Sequence, residues 1–279
     1  MIVSLSYDPV KYQAENMKRA FLVFLFTIGV LRLSAGADLC GITNTAFTSG
    51  ESISFRVFYS VVGLYFEAGS ATFTANRERL NNKPVYHITG LGYSNARYDW
   101  IFKVRDKYES YVDTLTLRPY KFVRNVDEGG YKKFELVNFD HDRNQAVSQK
   151  GSYAVPVCVQ DVLSAIYYAR NIDFSRYKPG DKIPLTIFLD DEVHNIYVRY
   201  MGKEEIRTRY GRFRSIKFKP MLIKGTIFEG GEKMTVWVTD DLNKVPLRIE
   251  SPITVGSVKV DMMGYKNLRH PMNAMISVR

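Results

Sequence analysis

The sequence predicts a mainly β protein, in which a strongly curved antiparallel sheet or open β-barrel is wrapped around one central α-helix. Apolar residues alternate with polar ones in segment after segment, as in half-buried strands. Turn residues separate these segments closely, and such short connections join antiparallel neighbours. Only one segment after residue 37 has helical spacing. Because a sheet of roughly 11 to 13 strands rarely stays flat, we expect it to curl around that helix.

The first half of the chain carries the clearest two-residue period. Ile53, Phe55, Val57 and Tyr59 form one apolar face in the first of these segments. The predicted strands are residues 52–59, 67–76, 85–93, 102–112, 120–126 and 131–139. Turns rich in Asn, Gly, Pro and Asp lie between them, so we predict a meander.

The single helix is predicted within residues 155–171. An apolar stripe follows the spacing i, i+3, i+4, i+7 and i+8, and its members are Val159, Val162, Leu163, Ile166 and Tyr167. Asp161 is expected in the first turn and Arg170 in the last, where their charges suit the helix dipole. The helix should therefore have three to four turns, and its first turn should include Cys158.

A second meander is predicted after the helix. Its strands are residues 183–189, 193–201, 204–210, 213–219, 234–239, 245–250 and 255–263. Residues 269–279 show no period and are expected to be a frayed tail. Because no Pro-, Gly- or Ser-rich linker divides the halves, we predict one domain over residues 38–279, with two lobes joined through the helix as the alternative.

The N-terminal segment has the pattern of a secretory signal peptide over residues 1–37. Lys18 and Arg19 precede a short apolar run that Arg32 ends well before the ~20 residues of a spanning helix. Met17 is the expected initiator, and cleavage is expected before Asp38. No small residue directly precedes Cys40, so we predict a periplasmic protein that is not a lipoprotein.

The chain has two cysteines, Cys40 and Cys158. In an exported protein such a pair favours a disulfide, which would tie the N-terminal arm to the helix. Two reduced and buried thiols are the alternative. Neither cysteine has a His, Lys or Arg neighbour in sequence that would lower its pKa, so a nucleophilic role is not indicated.

No catalytic, cofactor or metal motif stands out in the sequence. The four histidines, His87, His141, His194 and His270, lie in separate segments without ligand spacing. Asp106 and Glu109 lie on one predicted strand; either is a candidate ligand-binding group, general acid or partner of a buried arginine. Residues 240–243 could offer oxygens to calcium but are more typical of a hairpin turn.

The net charge of +10 is spread along the strands, with one denser stretch at residues 203–219. Its arginines are a candidate anion-binding surface: Arg207, Arg209, Arg212 and Arg214. A solvated sheet face is the plainer interpretation. No nucleic-acid recognition module is visible, so lipid headgroups or acidic glycans are the favoured anions.

Several motifs, in order, resemble the DUF3108 family of bacterial envelope proteins of unknown function. They are Gly50-Glu51, residues 55–59, 67–71 and 106–113, Leu117-Arg118-Pro119, residues 159–165 and 167–170, Gly211-Arg212-Phe213 leading to Pro220, and residues 237–241 and 245–247. The resemblance covers roughly residues 47–265, and the two-cysteine form is similar to the Bacteroidota branch. It implies an exported β protein, related in shape to the half-barrels of lipoprotein carriers, and it supplies no catalytic residues.

Three functions are compatible with these features. The first is non-catalytic binding of a lipid or other amphiphilic ligand by an aromatic-rich curved sheet, although the aromatics could equally fill a solid core. The second is a hydrolase of envelope glycans or esters that uses Asp106 or Glu109. The third is a structural assembly partner that docks on another envelope protein through the basic residues 207–219.

Overall fold

The computed structural model describes residues 41–62, 64–223, 230–253 and 255–278. They form a large antiparallel sheet and one α-helix, which confirms the mainly β prediction. The strands are β1 Glu51–Val61, β2 Leu64–Leu80, β3 Lys83–Ser94, β4 Arg105–Asp113, β5 Pro119–Glu128, β6 Tyr131–Asp140, β7 Gln145–Val147, β8 Ser152–Ala154, β9 Lys182–Leu189, β10 Glu192–Arg207, β11 Gly211–Pro220, β12 Thr235–Thr239, β13 Pro246–Pro252, β14 Ser257–Lys266 and β15 Met275–Val278. The helix α1 is Val162–Ala169, and short 3₁₀ helices cover Ala96–Tyr98 and Phe174–Arg176.

The two meanders are joined edge to edge. The order along the sheet is β8-β7-β6-β5-β4-β3-β2-β1-β14-β13-β12-β11-β10-β9, so β1 pairs with β14 where the halves meet. Tight turns make this order possible. At Asn81-Asn82 and at Asp190-Asp191 both central residues have positive φ, as a two-residue hairpin turn requires.

No ladder joins the outermost strands β8 and β9, so the sheet is not closed. Side chains nevertheless connect the two ends. Phe188 of β9 contacts the rings of Phe139 and Tyr153, with centroids 6.2 and 5.5 Å away. In the β9–β10 turn, Asp190 pairs with Arg124 and Lys133. We call this junction of ring contacts and ion pairs the seam.

The predicted helix of three to four turns is too long. Helix α1 has eight residues and begins after Asp161, which is its N-cap rather than a member of its first turn. The Asp161 carboxylate accepts bonds from the Leu163 and Ser164 amides at 2.8 Å, and Ser164 Oγ accepts one from the Asp161 amide. This capping box fixes the start of the helix. The residue before it is extended because Gln160 forms a bridge with Ile187 of β9.

The helix packs on strands of both halves, through contacts with β3, β4 and β9. Its buried side chains are Leu163, Ser164, Tyr167 and Tyr168. Ile166 was expected in the apolar stripe but is 41% exposed, since the sheet lies on the Ser164 and Tyr168 side instead. That the sheet wraps around a central helix stays a prediction.

The sequence predicted Cys158 in the first turn of the helix. In the structure Cys158 lies in the turn before α1 instead. Cys40 lies outside the described residues. The predicted disulfide between them therefore stays a prediction, as do the signal peptide and the domain boundary at residue 38.

A buried ion pair joins the end of α1 to β1. Arg170 donates two hydrogen bonds to the carboxylate of Glu51, at 2.5 and 2.8 Å, and a third to the backbone oxygen of Asn243. Both side chains are almost fully excluded from water. The guanidinium also lies over the rings of Phe47 and Tyr167, so every face of this charge is occupied by protein.

The buried apolar residues that the structure describes form two hydrophobic clusters. Ile216 and Phe218 of β11 belong to the larger cluster, which includes the helix residues Leu163 and Tyr167. Phe213 of the same strand belongs to the smaller cluster, with these partners: Ile53, Phe55, Ile206, Trp237, Val245, Leu247 and Met262. Residues from the C-terminal segment cover this smaller cluster.

The expected frayed tail is wrong. Residues 275–278 form β15, which pairs with β11, and Ala274 is fully buried. The 240–243 loop holds this segment: Asn243 exchanges two hydrogen bonds with the backbone of His270, and Asp241 accepts one from the Ala274 amide. These long-range bonds supply the order that the tail's own sequence does not show.

Candidate anion-binding groove

An open groove of about 400 Å³ lies beside the tip of the β10–β11 hairpin. The end of the β10–β11 hairpin forms one wall, and β2, β13 and β14 form the rest. Its lining is strongly basic: Tyr65, Arg207, Thr208, Arg209, Arg248, Lys259 and Asp261. Concave sites with convergent polar groups are the usual place for ligands.

The β10–β11 hairpin reaches this position because its end folds over the sheet. Four strands separate β10 from β1 in the sheet order, yet Ile206 and Phe213 belong to the same buried cluster as Phe55 of β1, and Arg209 at the hairpin tip lies over Phe58. The turn at the tip is held by Thr208, whose hydroxyl accepts bonds from the Tyr210 and Gly211 amides at 3.2 Å. Arg207 and Arg209 flank Thr208 and are therefore presented by a fixed backbone.

An ion pair lies at the base of the groove. Arg248 donates to both oxygens of Asp261, at 2.6 and 3.0 Å, from directly opposite positions of β13 and β14. Asp261 is almost fully buried, and its negative charge is neutralised by Arg248. Lys259 is likewise paired with Glu250, at 3.0 Å.

The two arginines that flank Thr208 at the hairpin tip differ from these paired groups. Within residues 41–62, 64–223, 230–253 and 255–278, neither Arg207 nor Arg209 has an acidic side chain within ion-pair distance. The guanidinium of Arg209 lies 4.4 Å above the ring of Phe58, which stacks on Tyr65. The groove thus offers two exposed guanidinium groups beside an aromatic surface.

The four arginines that the sequence singled out do not converge. Arg207 and Arg209 line the groove, whereas Arg212 pairs with Glu205 and Arg214 donates to the backbone oxygen of Asn273 at 2.5 Å. Sequence reasoning missed Arg248, Lys259 and Tyr65. Their proximity depends on the pairing of β1 with β14 and on the folded-over hairpin, neither of which leaves a local signal.

The two candidate carboxylates lie far from the groove and on opposite faces of β4. Asp106 is buried on the inner face and accepts a bond from the Asp127 amide at 3.1 Å. Glu109 points outward and contacts His87 Nε2 and Lys107 Nζ, each at 3.0 Å. They cannot act together on one substrate.

Burial, together with the nearby charge of Glu128, raises the pKa of Asp106 to about 7. Because the folded protein then holds a proton that the unfolded chain releases near pH 4, this carboxyl's contribution to stability falls as the pH rises from about 4 to about 7. We expect the difference in unfolding free energy between the wild type and Asp106→Asn to change over that window and to level off above it. Urea denaturation at a series of pH values measures this difference.

Burial also raises the pKa of Asp161, to about 6, so this carboxyl changes the stability with pH in the same direction. Asp161 is present in both the wild type and Asp106→Asn, so its effect cancels in the difference between their unfolding free energies. Parallel stability curves for the wild type and Asp106→Asn would contradict the prediction.

The histidines serve separate local contacts. His194 Nε2 lies 3.2 Å from the Leu189 oxygen, and His270 Nε2 lies 2.7 Å from the Thr45 oxygen. Burial lowers the pKa of His141, with a further contribution from the charge of Arg118. In the part of the chain that the structure describes, no group of three or more His, Cys, Asp or Glu residues could hold a metal ion. Among the same residues, no helix is long and apolar enough to cross a membrane.

The open antiparallel sheet defines the class of protein: a large β-barrel-like protein, which here has a groove lined by basic side chains. The chain belongs to the family DUF3108, described as a protein of unknown function, whose model matches residues 54–263. This confirms the resemblance found in the sequence. No curated protein matches the chain.

The fold is similar to that of one solved structure, and two further solved structures match the chain more distantly. A β-barrel-like protein of the family DUF1849 from Brucella abortus covers 81% of this chain and 100% of its own, with 8% identity and a TM-score of 0.52. A protein of Parabacteroides distasonis, provisionally described as a lipoprotein, has 14% identity over 80% of this chain and 100% of its own, with a TM-score of 0.36. A protein of Bacteroides fragilis, provisionally described as exported and with a YmcC-like fold, has 12% identity over 81% and 100%, with a TM-score of 0.33.

Proposed function

We propose that this protein is an extracytoplasmic binding protein for an anionic amphiphile, whose headgroup occupies the basic groove. The observation that carries the proposal is a pair of exposed guanidinium groups, Arg207 and Arg209, which have no acidic partner among the described residues. The Thr208 turn presents them above the Arg248–Asp261 ion pair. Guanidinium groups bind phosphate and carboxylate with two parallel hydrogen bonds. The signal-like N-terminal sequence supports a location outside the cytoplasm.

The rest of the groove suits an amphiphile better than a simple ion. The rings of Phe58 and Tyr65 stack with centroids 5.4 Å apart, and Tyr65 is itself part of the lining. A ligand with a charged head and an apolar tail would place the head at Arg207 and Arg209 and the tail along the exposed ring of Tyr65, which Phe58 supports from below. Asp261 stays neutralised by Arg248 and so does not repel the head.

A double substitution of Arg207 and Arg209 to Gln tests the groove. Each lost charge-assisted hydrogen bond is worth about 1.5–3 kcal/mol, so we expect the loss of two to lower the affinity for a short-chain phosphatidylglycerol by at least about 100-fold. Titration calorimetry below the micelle concentration measures the affinity, with short-chain phosphatidylcholine as the neutral comparison.

The matched control is the double substitution of Arg212 and Arg214 to Gln. It removes the same number of charges from the same hairpin but leaves the groove intact. Its affinity for the short-chain phosphatidylglycerol should stay within about twofold of wild type, because exposed charges away from a binding site contribute little. Equal losses in both variants would show a general charge effect and reject the site.

A further inference from the structure

One end of the sheet carries exposed apolar side chains in three separate turns. Val62 lies in the β1–β2 turn and is 98% exposed, and Val255 is exposed in the β13–β14 turn. In the β3–β4 loop, Trp100 is 82% exposed and is followed by the exposed Ile101. Large apolar groups presented in this way usually contact a partner or a membrane. We call these three turns the apolar end.

Pairing and contacts place all three turns at the same end. Ser60 of β1 is opposite Ser257 of β14, so the turns that follow and precede these residues are neighbours. Tyr59 donates a hydrogen bond to the Val255 oxygen at 2.6 Å. On the other side, Gly69 of β2 is opposite Ser94, the last residue of β3, where the loop with Trp100 begins.

The backbone conformation of Val62 is a second observation that indicates a functional role for this turn. Val62 has φ of +45°, a left-handed conformation that a β-branched residue adopts only at a cost. In the β2–β3 turn, by contrast, the positive-φ residues are Asn81 and Asn82, which tolerate this conformation. A strained, exposed valine where asparagine would fit is explained if its side chain meets an apolar surface, since such strain persists mainly at functional positions.

We propose that the apolar end docks on the surface of an anionic lipid bilayer. Val62, Leu64 and Val255 enter the boundary between headgroups and acyl chains, and Trp100 lies at the headgroup level that tryptophan favours. The inference rests on the proposed function, because Tyr65 lies one residue from the exposed Leu64 and lines the basic groove. Arg207 and Arg209 would then meet the anionic headgroups of the same bilayer.

Val62→Asn combined with Leu64→Ser tests the docking without weakening the fold. Val62→Asn gives the Asn-Gly sequence that two-residue turns prefer, so Tm should stay the same or rise. Loss of two inserted apolar groups should lower the affinity for vesicles of phosphatidylglycerol and phosphatidylcholine at least roughly tenfold. Vesicle co-sedimentation measures the affinity.

The control is Leu115→Ser. Leu115 is 71% exposed in the turn after β4, at the opposite end of the sheet, so its loss should leave vesicle binding unchanged. Trp100 provides a second readout, because the chain's other tryptophan, Trp237, is buried. Bromine-labelled anionic lipids should quench Trp100, and Trp100→Phe should abolish the quenching.

The outcomes separate the two proposals. Vesicle binding that is insensitive to the Val62 and Leu64 changes, or an unquenched Trp100, overturns the docking even if the Arg207 and Arg209 variant loses short-chain lipid. Loss of vesicle binding in the turn variant, with short-chain lipid binding intact, supports the docking. If short-chain lipid does not bind at all, but vesicle binding is lost in the Val62 and Leu64 variant, the docking is supported and the groove is rejected as a lipid site.

Discussion

Glu51→Gln is expected to destabilise the protein by about 3–5 kcal/mol, because it leaves the buried charge of Arg170 without its counter-ion. The bidentate contact at 2.5 and 2.8 Å joins α1 to a strand 119 residues earlier, so the loss affects the packing of the helix on the sheet. Urea denaturation followed by circular dichroism measures the change in unfolding free energy.

The matched control for this prediction is Arg212→Gln, which breaks the exposed pair with Glu205. Exposed pairs contribute at most about 1 kcal/mol, so this variant should be close to wild type. Replacing both buried partners, Glu51→Leu with Arg170→Met, should recover most of the loss, since it removes the unpaired charge. A Glu51→Gln variant no less stable than Arg212→Gln would refute the role given to the pair.

Asp161→Ala is expected to cost about 2–4 kcal/mol, from the lost cap and from buried donors left without acceptors. Its carboxylate accepts hydrogen bonds from Ser110 Oγ at 2.6 Å and from the Leu163 and Ser164 amides at 2.8 Å. Thermal and urea unfolding measure the loss. Asp161→Asn should cost less, because asparagine is an equally good N-cap residue.

A second capping aspartate serves as the comparison. Asp173 caps the short 3₁₀ helix Phe174–Arg176 and accepts from the Ser175 amide at 3.1 Å, but it is exposed to water. Water can replace that bond, so Asp173→Ala should cost less than about 1 kcal/mol. Similar losses at both positions would mean that burial does not add to the importance of Asp161.

Local features of the fold were predictable from the sequence. Strands β1, β2, β3, β5 and β6 lie within a few residues of their predicted bounds because alternation is a property of the strand itself. Where the pattern was interrupted, the prediction failed. Residues 193–201 and 204–210 were predicted as two strands, but a register shift between Tyr200 and Gly202 lets β10 run through Glu192–Arg207.

Long-range features were not predictable in this way. The hydrogen bond between Tyr59 and Val255 joins residues 196 apart, and the groove needs that same pairing of β1 with β14. The charge stretch at 203–219 contains Arg207 and Arg209, but nothing local distinguishes them from Arg212 and Arg214. Only the acidic partner of Arg212 and the backbone partner of Arg214, seen in the fold, make that distinction.

The seam has a mechanical consequence for the molecule. Its two edges adhere through the ring of Phe188 and the charges around Asp190, without a single interstrand amide bond between β8 and β9. Separating the two edges would break these ring contacts and the salt-sensitive ion pairs, while leaving every ladder of the sheet intact. The sheet can therefore open at the seam between β8 and β9, and a high salt concentration would lower the force needed to separate these two strands.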